Sequence, residues 1–343
     1  MSVDNFLRKL IFQKYRLGTC EFDFLEALLA VCITGVAYLL RTPFETGLPH
    51  WLYLLAEWAM AVCGAVLTHR YGGSRMKTIG TYAILMILPT VVADGTILRS
   101  NASVGALLLI CGLLLLQEER RWLFTAVTAF LLLWSVKYIG LLFACMVLWQ
   151  NRKLRSEQLL VLLAAGCARF FLAYRAWLSA GYSLVTFHWP NIYEIVGKAS
   201  VQGQLIDPVA LVGLFLALGL LVMAVWLFAQ GQRSWETVME PAVLLRLLLF
   251  FGLAAGYFLP YMDQSCGYLY CILGVLYVML VPGEFPVPVL LQIVTFAGYQ
   301  ECFHGESMMP MAVFSVIQFL LMAWLGVQLL QEAGVIPIWK IRN

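Results

Sequence analysis

An all-α, polytopic membrane fold follows from three features of the sequence. Hydrophobic residues make up 62% of the 343-residue chain and charged residues only 12%, about half the charge of an ordinary soluble domain. No long polar segment is present from which a soluble domain could be built. Apolar runs recur from Phe24 onward. The clearest, Val209 to Ala229, has 21 residues without a charge, enough to cross about 30 Å of hydrocarbon as a helix.

Twelve such runs are candidate crossings, at about 24–40, 51–69, 78–94, 103–117, 122–136, 138–149, 157–177, 208–229, 241–259, 266–282, 287–299 and 311–330. Several are short for a perpendicular span, so about 10–12 transmembrane helices are expected. The pair 122–136 and 138–149 reads as two half-length helices or one re-entrant hairpin. Broken helices are tolerated in a membrane only where protein or a wet cavity satisfies the freed backbone. Residues 1–343 read as a single transmembrane domain. Residues 1–23 form a cytoplasmic or interfacial leader, with Phe6 to Tyr15 mildly amphipathic; an ordered polar leader is the other reading. No compact apolar core marks a cleavable signal peptide.

Positive charge sets the expected orientation. With the N-terminus inside, 15 of the 22 basic residues are cytoplasmic, among them Arg8, Lys14, Arg70, Arg75, Arg120 and Arg155. An even number of crossings returns the C-terminus to the same side. Polar chemistry then concentrates outside, in residues 41–51, 92–101, 178–208, 259–268 and 299–310. The long extracytoplasmic segment, 178–208, contains "HWPNIYEIVG", His188 to Gly197. Pro190 disfavours helix at Trp189, Asn191 can cap the next few residues, and Ile192, Ile195 and Val196 have helical spacing. A short interfacial helix is predicted, with Trp189 and Tyr193 at headgroup level.

Several chemistries are not indicated. The chain has no phosphate loop, dinucleotide fingerprint or HExxH pair. Its basic residues form an inner collar rather than a nucleic-acid groove. The nine cysteines are scattered, and buried thiols are usually inert small hydrophobes; Cys266 and Cys302 lie near enough to the outer face to pair.

Polar residues inside or beside crossings are the candidates for a site. Glu57 lies six residues into its span and serves either a site or a structural ion pair. Lys137 stands at the outer vertex between two apolar segments, to meet a phosphate or to snorkel. Arg169 and Arg175 share one crossing but point in different directions. Asp94, Arg99 and Asn101 share the second outer segment, where an aspartate more often caps a helix. Asp263, Glu301, His304 and Glu306 carry the same two readings.

Four segments carry a family resemblance. "LPTVVADGTILRSNASVGALLLICGLLLL" resembles a stretch in which a Pro precedes a Trp-Gly-Gln-x-Asp pattern. "FLLLWSVKYIGLLF" resembles a Ser-x-Lys-x-Gln segment, matched at Ser135 and Lys137. "WPNIYEIVG" resembles a Pro-Asn-x-[Tyr/Trp] segment, matched at Pro190, Asn191 and Tyr193. "YFLPYMDQSCGYLYCILGVLY" resembles a Leu-Pro-x-Met-His-Glu-Arg-Tyr segment, matched at Leu259, Pro260 and Met262. Together they make the chain similar to a degenerate member of the polytopic GT-C superfamily of glycosyltransferases, near the bacterial mannosyltransferase-like membrane proteins. Departures are Ala102 for the Asp of the first pattern, Ile139 for the Gln of the second, and Asp263, Gln264, Ser265 and Cys266 for His-Glu-Arg-Tyr.

The resemblance implies a multi-pass protein of the bacterial cytoplasmic membrane, with an outward cavity and a polyprenyl-phosphate-linked sugar as donor. A hexose would pass to an extracytoplasmic glycan or lipid acceptor. Glu45, the nearest acidic residue to the family's first-loop Asp, would be the base, with Asp94 and then Glu57 as further acidic candidates. Arg99, Lys137 and Arg169 would hold phosphate, since a departing phosphate needs positive charge. His188, Asn191 and Tyr193 would roof the cavity and Asp263 would lie on its substrate side. No cofactor is predicted, and a divalent metal is left open. Partners would be the lipid-linked sugar, membrane lipids and other surface-glycan assembly proteins, with no nucleic acid. The altered motifs fit a diverged acceptor site and a noncatalytic scaffold equally; an exporter of polysaccharide or lipid is the third reading.

Overall fold

The computed structural model describes residues 14–17, 20–42, 51–98, 100–180, 185–197, 208–231 and 240–336. Apart from one short hairpin these residues are overwhelmingly helical. The protein is an all-α, multi-pass membrane protein. Six helical segments are long and apolar enough to cross a membrane: Phe24–Arg41, Arg75–Leu98, Ser156–Ala173, Ala210–Ala229, Pro241–Phe258 and Met311–Glu332. Four shorter apolar helical segments accompany them. The chain divides into two compact units, Met1–Ile110 and Cys111–Asn343.

In the first unit, strands β1 (Lys14–Leu17) and β2 (Cys20–Asp23) pair antiparallel. The leader read at residues 1–23 thus ends in a strand pair, and the amphipathic stretch expected from Phe6 lies, up to residue 13, outside the described residues. Asp23 caps helix α1 (Phe24–Arg41), its backbone N–H donating to Glu26 Oε2 at 2.8 Å in a capping box. Helix α2 (Trp51–Arg70) packs along α3 (Arg75–Ile87). Hydroxyl pairs join these helices, Thr81 to Thr68 at 3.1 Å and Thr34 to Tyr82 at 2.6 Å. Leu88 leaves the helical region (φ −56°, ψ 126°) because Pro89 follows it. The chain resumes as α4 (Pro89–Ala93) and a π turn (Asp94–Leu98). Helix α5 (Ala102–Gln117) comes next, and the division between units falls within it.

In the second unit, α6 (Arg121–Trp134) and α7 (Ile139–Gln150) meet at extended Ser135 and a 3₁₀ turn (Val136–Tyr138). The sequence pair 122–136 and 138–149 is thus two short helices. Helix α8 (Ser156–Ala180) packs on both. After the four-residue α9 (Tyr193–Val196) come α10 (Pro208–Ala229), α11 (Pro241–Phe258), α12 (Cys266–Leu280), α13 (Pro286–His304) and α14 (Met311–Glu332).

Helix α11 is the core. It is buried along nearly its whole length and packs against α7, α10, α12 and α14. Phe251 stacks on Phe143 and meets Phe228 and Phe250 edge to face. With lipid as solvent, association relies on close packing rather than on hydrophobic transfer. Gly140 shows this: a Cβ there would lie 2.5 Å from the Phe251 carbonyl oxygen. The other faces of α10 and α14 expose large apolar residues such as Phe215, Trp226 and Leu320, as suits hydrocarbon contact.

Arg246, in the second turn of α11, ties helix ends together. Its guanidinium donates to Tyr277 Oη at 2.8 and 2.5 Å, to Glu284 at 3.1 Å and to Glu332. A buried guanidinium is costly unless its donors are filled, and here α11, α12, the 3₁₀ turn Pro282–Glu284 and α14 all contribute to the cluster. Its partners lie 31 to 86 residues away in sequence.

Candidate functional site

Two polar clusters contain the described candidates other than Arg169. The first lies in the first unit, where α1 ends, α2 begins and the π turn passes. Arg41 donates to Glu57 Oε2 from Nε at 3.0 Å and Nη2 at 2.5 Å. Its Nη1 donates to the Ala37 carbonyl at 2.6 Å, and Nη2 also reaches the Met86 carbonyl at 3.2 Å. Both side chains are almost wholly buried. The structural reading of Glu57 is therefore realised as an ion pair that joins α1 to α2.

Asp94 is also buried and acts electrostatically on Glu57. Its Oδ2 accepts from Ser100 Oγ at 2.6 Å, and that hydroxyl in turn accepts from the Ala102 N–H at 3.1 Å. The aspartate thus anchors the start of α5. Glu57 Oε1 has no hydrogen-bond partner among the described residues. It faces Gly95, where a Cβ would come within 1.8 Å of it. A π turn is a common local device at functional sites, and here it brings bare backbone onto a carboxylate. Glu45 and Arg99 lie outside the described residues.

The second cluster lies in the second unit, where three segments expected on the outer side converge. Phe187 forms a parallel bridge with Asp263, and its N–H donates to the Met262 carbonyl at 3.0 Å. Tyr261 N–H donates to the Val185 carbonyl at 2.6 Å. Lys137, half-buried on the 3₁₀ turn, donates from Nζ to Ser265 Oγ at 2.8 Å. The Ser265 hydroxyl donates to Asp263 Oδ1, which also accepts the Ser265 N–H at 2.9 Å. Lys137, Ser265 and exposed Asp263 thus form one chain of donors and acceptors. Beside it, His188 Nδ1 is 3.6 Å from Glu301 Oε2.

His188 holds φ +54°, a left-handed conformation that is uncommon outside glycine. Its carbonyl presses on α13 at Gly298, where a Cβ would sit 2.5 Å from the oxygen. Glycine at 298 is what lets the loop lie so close to that helix.

The rest of the loop is spent on the fold. Asn191 Nδ2 donates to Thr186 Oγ1 at 2.9 Å, its Oδ1 accepts the Tyr193 N–H at 3.1 Å, and its carbonyl accepts from Ser315 at 2.6 Å. Tyr193 Oη donates to the Phe258 carbonyl at 2.9 Å. Trp189 Nε1 donates to the Gly256 carbonyl at 3.1 Å, and its ring lies against Tyr270. All three side chains are buried. Trp189 and Tyr193 therefore pack inside the unit rather than at headgroup level, because α11 and α12 offer carbonyls and rings for them to fill. The short helix at Tyr193–Val196 is present.

Arg169 is half-buried on α8, and its Nε has no hydrogen-bond partner among the described residues, while Arg175 is exposed. Cys266 and Cys302 are not bonded to each other; Cys266 contacts Met262 Sδ and Cys302 accepts from Gln264. Among the described residues no group of three His, Cys, Asp or Glu side chains could hold a metal ion.

Sequence reasoning missed Arg41, Ser100, Arg246 and Ser265. A charge inside an otherwise apolar run was the available signal for Arg246. Ser265 gave none, since a turn serine is ordinary. No family model, curated protein or solved structure matches the chain.

Proposed function

We propose that the protein is a GT-C-like glycosyltransferase of a bacterial cytoplasmic membrane, with about 10–12 transmembrane helices and both termini inside. It takes a hexose from a polyprenyl-phosphate sugar and delivers it to an extracytoplasmic glycan or lipid acceptor. The observation that carries this reading is the meeting of Lys137 with Ser265 and Asp263, which joins two of the segments bearing the resemblance. An ammonium and a hydroxyl at the mouth of apolar helices suit the phosphate of a lipid-linked donor. Asp263 orients the hydroxyl, and an acidic residue of the first loop, Glu45, accepts the acceptor's proton.

Transfer from a polyprenyl-phosphate sugar by the purified protein is the test. Lys137→Met should lower it by roughly 10²-fold through the loss of one electrostatic donor. Glu45→Gln should lower it by a similar factor, about 10²-fold, by removing the base. Unchanged transfer in either folded variant removes that residue from the assignment.

A noncatalytic scaffold in surface-polysaccharide assembly is the second reading, favoured by the internal use of Asn191 and Tyr193. A wild-type protein that transfers no sugar, and whose deletion disperses its partners, replaces the enzyme with the scaffold.

A further inference from the structure

The first unit holds a slot between α1, α2 and α3 that the proposed transfer does not use. Its volume is about 410 Å³, within the range of about 300–1,000 Å³ typical of small-molecule sites. Small side chains make it: Ala27 and Ala30 on α1 face Val62 and Ala65 on α2. Thr34 and Tyr82 close one end, but their hydroxyls bond each other at 2.6 Å and so satisfy one another. From Glu26 to Thr34 the slot runs along nine residues of α1, roughly 12 Å of helix.

The other end is polar and carries both signs. Arg75 donates to Asp23 Oδ2 at 3.1 Å and lies 3.9 Å from Glu26, with His69 also on the lining. Asp23 and Glu26 thus flank the Arg75 guanidinium, and Glu26, His69 and Arg75 line the slot itself. Only 11% of the α1 span is buried in the protein, so the slot opens along a lipid-facing helix. A ligand that enters must be apolar over most of its length and end in both an anion and a cation.

We propose that this slot binds one phospholipid with a primary amine in its headgroup, such as a phosphatidylethanolamine. One acyl chain lies along Ala27, Ala30 and Val62. The phosphate meets Arg75 and His69, and the ammonium meets Asp23 and Glu26. An anionic lipid without an amine leaves the two carboxylates beside its phosphate with too little positive charge between them. Charge complementarity of this kind fixes which partner is accepted.

The full-length protein in nanodiscs tests this with phosphatidylethanolamine carrying a diazirine on its acyl chain. Cross-links should map to peptides around Ala30 and Val62. Unlabelled phosphatidylethanolamine should compete, and phosphatidylglycerol of the same chains should not. Ala30→Phe, which fills the slot, and Arg75→Gln, which removes the charge-assisted donor, should each cut this labelling roughly tenfold. Arg75→Lys should restore part of it. Labelling of the exposed face of α10 should be unchanged in every variant, which reports intact folding. Equal competition by phosphatidylglycerol overturns the headgroup assignment. Labelling that survives Ala30→Phe overturns the slot, since the chain then lies in bulk bilayer. A Phe variant that loses labelling on α10 has misfolded, and the competition and Arg75→Gln results then decide the proposal alone. Slot peptides cross-linked to another protein in place of lipid also overturn it.

Discussion

Arg41 and Glu57 illustrate how far a single residue can be read. A carboxylate six residues into an apolar span demanded a partner, and the sequence left open whether that partner was a substrate or a side chain. The answer lies 16 residues upstream, a pairing that neither residue's local pattern encodes. Removing one member of a buried pair strands the other charge, at a cost of about 3–5 kcal/mol. Arg41→Met should therefore lower the thermal midpoint of the purified protein substantially. Arg41→Met combined with Glu57→Gln should recover much of the loss, because no stranded carboxylate remains. An unchanged midpoint in Arg41→Met shows that the pair does not hold α1 to α2. Asn191 and Tyr193 teach a related lesson. The cap that Asn191 supplies was legible, but its other bonds go to Thr186 and Ser315, whose proximity only the tertiary fold creates.

Elements were more legible than residues. All twelve apolar runs are helical over most of their length in the described structure, because hydrophobic continuity over such lengths has few other solutions in a membrane. The break at Leu88–Pro89 and the corner between α6 and α7 follow from a proline and from a polar vertex at Ser135–Lys137. The choice of central helix could not be read, since α11 and α10 are both almost uniformly apolar. Small residues hold the difference. Gly140 on α7 admits the backbone of α11 at Phe251–Gly252, and those atoms cannot move aside as a flexible side chain would. Gly140→Ala should cost about 1–3 kcal/mol through overpacking. Detergent unfolding curves check this, and a neutral outcome means α7 can shift without loss. The hairpin at Lys14–Asp23 was invisible because a strand pair of four residues each leaves almost no periodic signal.

At the scale of the whole molecule, topology is the property that the sequence argues from charge. Within the second unit, Lys137, the loop at 185–193 and the turn at 259–265 meet. At the opposite end of α11, Arg246 draws its acceptors from the ends of α12 and α14 and from the turn Pro282–Glu284. Within the first unit, Arg41 and Asp94 lie at one end of the helices and Arg75 at the other. Which of these ends faces the cytoplasm rests on positive charge alone. The prediction is that both termini are cytoplasmic and residues 178–208 are outside. In a background freed of the nine native cysteines, single cysteines placed at Gly181 and Gly203 should react with an impermeant maleimide in intact cells. Cysteines placed beside Arg75 or Arg152 should react only after permeabilisation. The reverse pattern inverts the protein, and the basic collar would then face outward, against the bias that orients short loops. Inversion would also place Lys137 and Asp263 on the cytoplasmic side, out of reach of an extracytoplasmic acceptor, so this labelling experiment bears on the transferase reading as directly as any active-site substitution.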